Sequence, residues 1–240
     1  MAYFLNNINE VNQFSKTTKE KYFVDKSELI EKMNELVGTA SQYVCITRPR
    51  RFGKTLNAMM LASYYSKNAD FKELFDKLEI SKSKSYLKHL NKHNVVYMTL
   101  NQLPEPGCTY EEFINNYAGA LLSDLKEAFT NIEIKDAKPL SRVFDQVYNE
   151  TKESFIFIFD EWDYIFNNNL FSENERKSFL EFLRELLKDK PYVELAYMTG
   201  VLPIAKYSSG SALNMFLEFN MMNDYMYDKY FGFTNEEVEE

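Results

Sequence analysis

Tyr43-Val44-Cys45-Ile46-Thr47-Arg48-Pro49-Arg50-Arg51-Phe52-Gly53-Lys54-Thr55 is the stretch on which the fold turns. Its opening is a short, largely apolar, β-leaning run that stops abruptly at Arg48-Pro49. After Thr55 come Leu56, Met59, Met60 and then Ala62 to Tyr65, a mostly apolar segment that reads as a helix packed on a sheet. Gly53-Lys54-Thr55 therefore lies between a strand and a helix, the context in which a glycine-containing loop cradles phosphate. Backbone N–H groups of such a loop and the positive end of the helix dipole bind phosphate oxygens. Lys54 would reach the terminal phosphates, the Thr55 hydroxyl would ligate Mg²⁺, and Gly53 would keep a side chain from crowding them. The pattern departs from G-x-x-x-x-G-K-[ST], because Arg48 stands where the first glycine belongs and Pro49 must set the turn. Six of the 28 basic residues are arginine, and three of those six are Arg48, Arg50 and Arg51. Such a local switch from lysine suggests contacts of fixed geometry, to phosphate or to carboxylates of the site.

Working outward, Val95–Leu100, Ser154–Phe159 and Tyr192–Met198 read as further strands, with something strand-like near Met222–Tyr230. Helical spacing follows Asp25, with Glu28 completing a variant capping box, and ends at Gly38. Asp70–Leu78, Ser81–Leu90, Thr109–Phe129, Leu140–Glu150 and Ser172–Leu187 read as helices, and Pro104–Gly107 as a loop. Strands alternating with helices predict an α/β fold: a mainly parallel sheet with helices on both faces.

A phosphate loop needs a carboxylate at the end of a neighbouring strand. Asp160, directly after the apolar run Phe155–Phe159, fits a Mg²⁺ ligand, and Glu161 fits the group that orients or deprotonates an attacking water. Taken alone, Asp-Glu after a strand also reads as a helix cap. Asp163 divides evenly between support of the site and a cap. Thr199 ends the fourth strand, where open α/β sheets place ligands, and could sense the terminal phosphate; a turn residue beside Gly200 is the competing reading. His89 and His93 lie four apart without a nearby carboxylate or cysteine in sequence, so they do not read as a metal site.

The 240 residues carry 28 basic against 36 acidic side chains, a net charge of −8. This makes nucleic acid a poor partner for this region, since such contacts are largely to phosphate. No apolar run exceeds five residues, far short of the ~20 that span a bilayer. The start of the chain lacks a basic stretch followed by an apolar one, and the two cysteines form no framework. The expectation is a cytoplasmic protein with reduced thiols.

Together these segments resemble the AAA-ATPase-like proteins of bacteria and archaea, related to the AAA+ and STAND ATPases. The resemblance rests on Tyr22–Ser27, Thr47–Thr55, Ile158–Asp163, Met198–Val201 and Phe231–Val238, with Trp162 standing where the family more often has tyrosine. It implies a three-layer P-loop NTPase sheet and Mg²⁺ with ATP as cofactor. It also implies nucleotide contacts from Arg50, Arg51, Phe52, Gly53, Lys54 and Thr55, with Asp25 and Lys26 near the purine. By capping-and-charge reasoning alone, Asp25 caps a helix and Lys26 is an exposed charge. The family usually continues into an ATPase lid and often a nuclease-like domain.

Thr234 with Glu237 forms a T-x-x-E capping box, followed by Asn235, Glu236, Val238, Glu239 and Glu240. The expectation is an N-terminal arm over residues 1–21 and an ATPase core over 22–240 in which only the first turn of a lid is present. Such a core would bind ATP with its base exposed and hydrolyse it slowly, with cover supplied by a partner or a missing C-terminal region. A nucleotide-binding regulatory module that does not hydrolyse ATP, signalling through a partner, is the alternative. A small-molecule kinase fits less well, because Asp160-Glu161 suits water activation and no arginine-rich lid segment follows.

Overall fold

A computed structural model of the chain describes residues 2–68, 70–103, 105–135, 138–167, 169–207, 212–222 and 224–239. Pro104, part of the expected loop, and Glu240, part of the expected terminal helix, lie outside the described residues. Five strands, β1 (Tyr43–Thr47), β2 (Asn94–Thr99), β3 (Phe155–Asp160), β4 (Val193–Gly200) and β5 (Leu217–Phe219), are described in one sheet of order β2-β3-β4-β1-β5. Every pairing between them is parallel. Before β2 come α1 (Ile8–Thr17), α2 (Glu28–Asn34), α3 (Lys54–Tyr65) and the single turns α4 (Lys72–Phe75) and α5 (Tyr86–His89). Then α6 (Tyr110–Ala128) and α7 (Leu140–Thr151) link β2 to β3, α8 (Tyr164–Asn167) and α9 (Glu173–Leu187) link β3 to β4, and α10 (Asn235–Glu239) follows β5.

The pleat of β3 divides the core into two layers. Phe155, Phe157 and Phe159 pack with Phe144, Phe179 and Leu183 of α7 and α9, while Ile156 and Ile158 join Leu61 and Tyr64 of α3 on the opposite face. A strand buried on both faces is necessarily apolar at every position, which is why FIFIF shows no alternation. Each such side chain stabilises the fold by ~1.5–3 kcal/mol on burial. The long helices start where their caps dictate: Thr109 with Glu112 and Ser172 with Glu175 each form a reciprocal capping box.

Several elements differ from the sequence reading. The expected helices over 70–78 and 81–90 shrink to α4, α5 and a 3-10 turn at Glu79–Lys82. The strand expected near Met222–Tyr230 lies earlier, at Leu217–Phe219, and Asp228–Tyr230 is a 3-10 turn; Met222 and Tyr225 are each 93% exposed, so no burial favours an extended strand there. The N-cap position of α2 is Ser27, whose side chain makes no capping bond, and the Asp25 carboxylate accepts from the N–H groups of Ser27 (2.8 Å) and Glu79 (2.7 Å). The arm before Tyr22 is tied to the sheet and helices at Tyr3–Leu5 and Phe14. Leu5 bridges to Val96 at the free edge of β2, Asp124 accepts from the N–H groups of Tyr3, Phe4 and Leu5, and buried Phe14 stacks on Phe75.

Candidate functional site

Parallel pairing brings the carboxyl-terminal ends of the strands to one rim. Thr47 pairs with Gly200, Thr199 with Asp160, and Asp160 with Thr99, so the chain segments leaving β1, β2, β3 and β4 are neighbours. A cavity of about 470 Å³ opens there, lined by Arg50, Arg51, Gly53, Lys54, Thr55, Leu56, Glu161, Asp163, Tyr164, Asn167 and Val201. Two residues of its rim hold left-handed backbone conformations that side chains disfavour: Arg51 at φ 69° and Glu161 at φ 52°. Gly53 caps α3 at φ 79°, and a Cβ built there meets no protein atom within 4 Å. Within the protein itself, backbone conformation rather than crowding requires this glycine.

Lys54 is buried, and its Nζ donates to the Pro49 carbonyl at 2.8 Å. Burial pulls its pKa below the ordinary lysine value, opposed by the nearby carboxylates of Asp160, Asp163 and Glu161. Asp160 is 1% exposed, and its Oδ2 has no hydrogen-bond partner, while Oδ1 accepts from the Glu161 N–H at 3.0 Å. Burial pushes its pKa up to about 6, opposed by the neighbouring Thr55 hydroxyl, which favours the ionised form. A buried carboxylate oxygen lacking a partner, beside a hydroxyl and the mouth of a phosphate-type loop, fits a divalent cation. Thr55 and Asp160 are the residues that would hold it.

Glu161 accepts from Asn101 Nδ2 at 2.7 Å, a contact that sequence reasoning missed. Asn101 follows β2 by two residues, and only the register of β2 on β3 shows that it meets Glu161. Asp163 is buried and accepts from the N–H groups of Val201 and Leu202 and from Asn167, tying the exit of β4 to that of β3. Thr199 does not face the cavity. It is fully buried, and its hydroxyl donates to the Ile46 carbonyl at 2.9 Å.

A second cavity of about 340 Å³ adjoins the first through Arg51, Gly53 and Leu56 and is lined also by Tyr22, Phe23, Lys26, Phe52, Asn57 and Phe233. Lys26 lies at this cavity, its Nζ donating to both oxygens of Glu237 (2.5 and 2.7 Å) and to the Lys229 carbonyl (2.7 Å). Asp25 is turned to the Ser27 and Glu79 amides instead. Of the three clustered arginines, Arg50 and Arg51 line the first cavity, whereas Arg48 is buried against Asp224.

A family model described as "Predicted AAA-ATPase" matches residues 10–209. The chain belongs to that family. The sheet it is built on is a parallel α/β one. No curated protein matches the chain significantly. Among solved structures, it is similar to a chain of Drosophila ORC bound to AT-rich DNA and Cdc6, at 10% identity and TM-score 0.39, over 89% of this chain and 58% of that one. It is similar also to C. elegans PCH-2, at 12% identity and TM-score 0.41, over 90% of this chain and 47% of that one. A third is the Aeropyrum pernix ORC2 protein in ADPNP–ADP complexes, at 11% identity and TM-score 0.39, over 87% of this chain and 47% of that one. The AAA-ATPase chain thus spans about half the length of these structures. Among its described residues no helix is long and apolar enough to cross a membrane.

Proposed function

We propose that the chain binds Mg²⁺–ATP across the two adjoining cavities and hydrolyses it slowly to drive or signal a conformational change. The observation that carries this reading is the meeting of Lys54 and Thr55 with Asp160 and Glu161 at one rim of the sheet. The loop amides before α3 and the Lys54 ammonium take the phosphates, with Arg50 and Arg51 adding charge. Thr55 and Asp160 hold the cation, which when bound neutralises developing phosphate charge. Glu161 orients the attacking water. The purine lies in the second cavity against Phe52 and beside Lys26, and adenine is preferred over guanine by family resemblance. Residues 22–240 form the nucleotide-handling core, and residues 1–21 buttress it.

One contact supports slow turnover, and with it the non-hydrolysing, partner-signalling alternative: Asn101 Nδ2 holds Glu161 Oε2 in competition with an attacking water. The test is titration with Mg-ATP and Mg-GTP, followed by phosphate release from wild type and Glu161→Gln. The catalytic reading expects the variant to keep its ATP affinity and lose release. Equal release from both proteins removes Glu161 from the reaction, and wild-type binding without release selects the regulatory module.

A further inference from the structure

Arg48 opens the phosphate loop yet turns away from its cavity. Its side chain is 3% exposed and that of Asp224 is 0% exposed, and the two pair through Nη2 and Oδ2. The same guanidinium donates from Nη1 to the carbonyls of Thr47 (2.8 Å) and Phe219 (3.2 Å), and it sits 5.0 Å from the ring centre of Phe231. Asp224 Oδ1 in turn accepts from the N–H groups of Met226 (2.8 Å) and Tyr227 (2.7 Å). The chain beyond is fastened to the loop and α3 twice more, by Gly232 N–H on the Phe52 carbonyl (3.1 Å) and by Asn57 Nδ2 on the Tyr230 carbonyl (2.9 Å).

A buried ion pair of this kind adds little net stability, since apolar side chains of similar volume often serve as well. What an arginine fork supplies is direction, fixing several oxygens at once in one plane. Here the fixed oxygens belong to the end of β1, the end of β5 and Asp224. The next residue after Arg48 is Pro49, whose carbonyl receives Lys54 Nζ. The anchor therefore sets both the entry of the loop and the point from which Lys54 reaches outward.

We propose that Arg48 and Asp224 are positioning residues of the phosphate loop: their buried pair holds the loop entry and, through Pro49, Lys54 in the geometry phosphate requires, and it couples loop occupancy to residues 217–231. The inference rests on the reading of the first cavity as a triphosphate site. Its test compares wild type with the apolar double variant Arg48→Met/Asp224→Leu, by thermal melting, calorimetric titration with Mg-ATP and amide hydrogen exchange. The double variant leaves the Thr47 and Phe219 carbonyls and the Met226 and Tyr227 amides without these partners, so it is expected to melt below wild type, and to bind at least about tenfold more weakly where it is still folded, since small misplacements at a site cost one to two orders of magnitude. Mg-ATP should slow exchange in residues 217–231 of wild type and not of the variant. A merely structural pair would leave affinity and the exchange response untouched, and that result overturns the proposal. Should the double variant fail to fold, Asp224→Asn replaces it. The amide keeps an oxygen for Met226 and Tyr227 but lacks the charge that holds Arg48, so weakened binding supports the proposal and wild-type affinity overturns it. If wild type itself binds no triphosphate while folded, the site reading fails first, and this inference falls with it.

Discussion

At the amino-terminal ends of β2 and β4, His93 lies 2.7 Å from Glu194 and 3.0 Å from His89, and Asn94 donates to Glu153 at 2.6 Å. At the carboxyl-terminal ends of β1 and β3, Lys54 and Glu161 face a shared cavity and Asp160 keeps a buried oxygen without a partner. Both rims are rich in titratable groups. At the first, these groups are largely engaged with one another, and the imidazoles and carboxylate form a chain across the sheet's end. At the second, they converge on a space. Neither polar content nor one unpaired buried atom marks a site, since His89 Nε2 is also buried without a partner at the first rim; convergence on an open space does.

The largest expected effect separating the rims is on stability. A Cβ at Gly200 would meet Trp162 Cδ1 at 2.7 Å and the Asp163 carboxylate, both buried and unable to retreat. Gly38 at the other rim, whose N–H donates to the Glu194 carbonyl at 2.8 Å, has open space around it and only its φ of 71° to protect. Gly200→Ala should therefore cost about 3 kcal/mol and Gly38→Ala about 1 kcal/mol, read by chemical denaturation. Equal losses would show that the crowding at Gly200 relaxes.

The rims should also titrate with opposite sign in metal-free protein. Burial, then the charges of His93 and Lys88, lowers the His89 pKa from the ordinary 6.5 to about 4. The unfolded chain takes up a proton that folded His89 refuses, so this contribution is complete above about 6.5 and is lost as pH falls toward 4. Asp160, raised by burial from 3.8 to about 6, is protonated first in the folded chain, and its contribution is fullest below 3.8 and declines as pH rises toward 6. Asp160→Asn should steepen the loss of stability on acidification across this window, and His89→Gln should flatten or reverse it, each on the order of 2 kcal/mol. Melting curves at several pH values that shift in parallel for both variants would refute this opposition.

The smallest expected effect is on nucleotide affinity. His93→Gln breaks the amino-terminal network at the cost of ~1 kcal/mol of stability. Lying at the far rim, it should change Mg-ATP affinity by less than about twofold, within ordinary additivity of distant sites. A larger change would mean that the two rims communicate through the sheet.

Much of the site-bearing rim is legible in sequence because its signals are local. The span of β1, the start of α3 after Gly53, and the paired caps of α6 and α9 each depend on neighbours within a few residues. The strand before Asp160 is equally plain, being apolar on both faces. What sequence does not disclose depends on register and long-range pairing. Arg48 and Asp224 lie 176 positions apart, and Asn101 and Glu161 lie 60 apart. Thr199 stands at the expected strand end, but pleat and pairing turn its hydroxyl to Ile46 rather than the cavity. β5 escapes detection because three partly exposed residues carry no pattern of their own.

The central claim is that the loop from Arg48 to Thr55 is where triphosphate binds. Calorimetric titration of Mg-ATP into wild type and Lys54→Ala tests it most directly. Losing a charge-assisted contact to phosphate should cost a few kcal/mol, so the account predicts binding by wild type and an affinity at least about tenfold weaker, or absent, in the variant. Equal affinity in two equally folded proteins would contradict it.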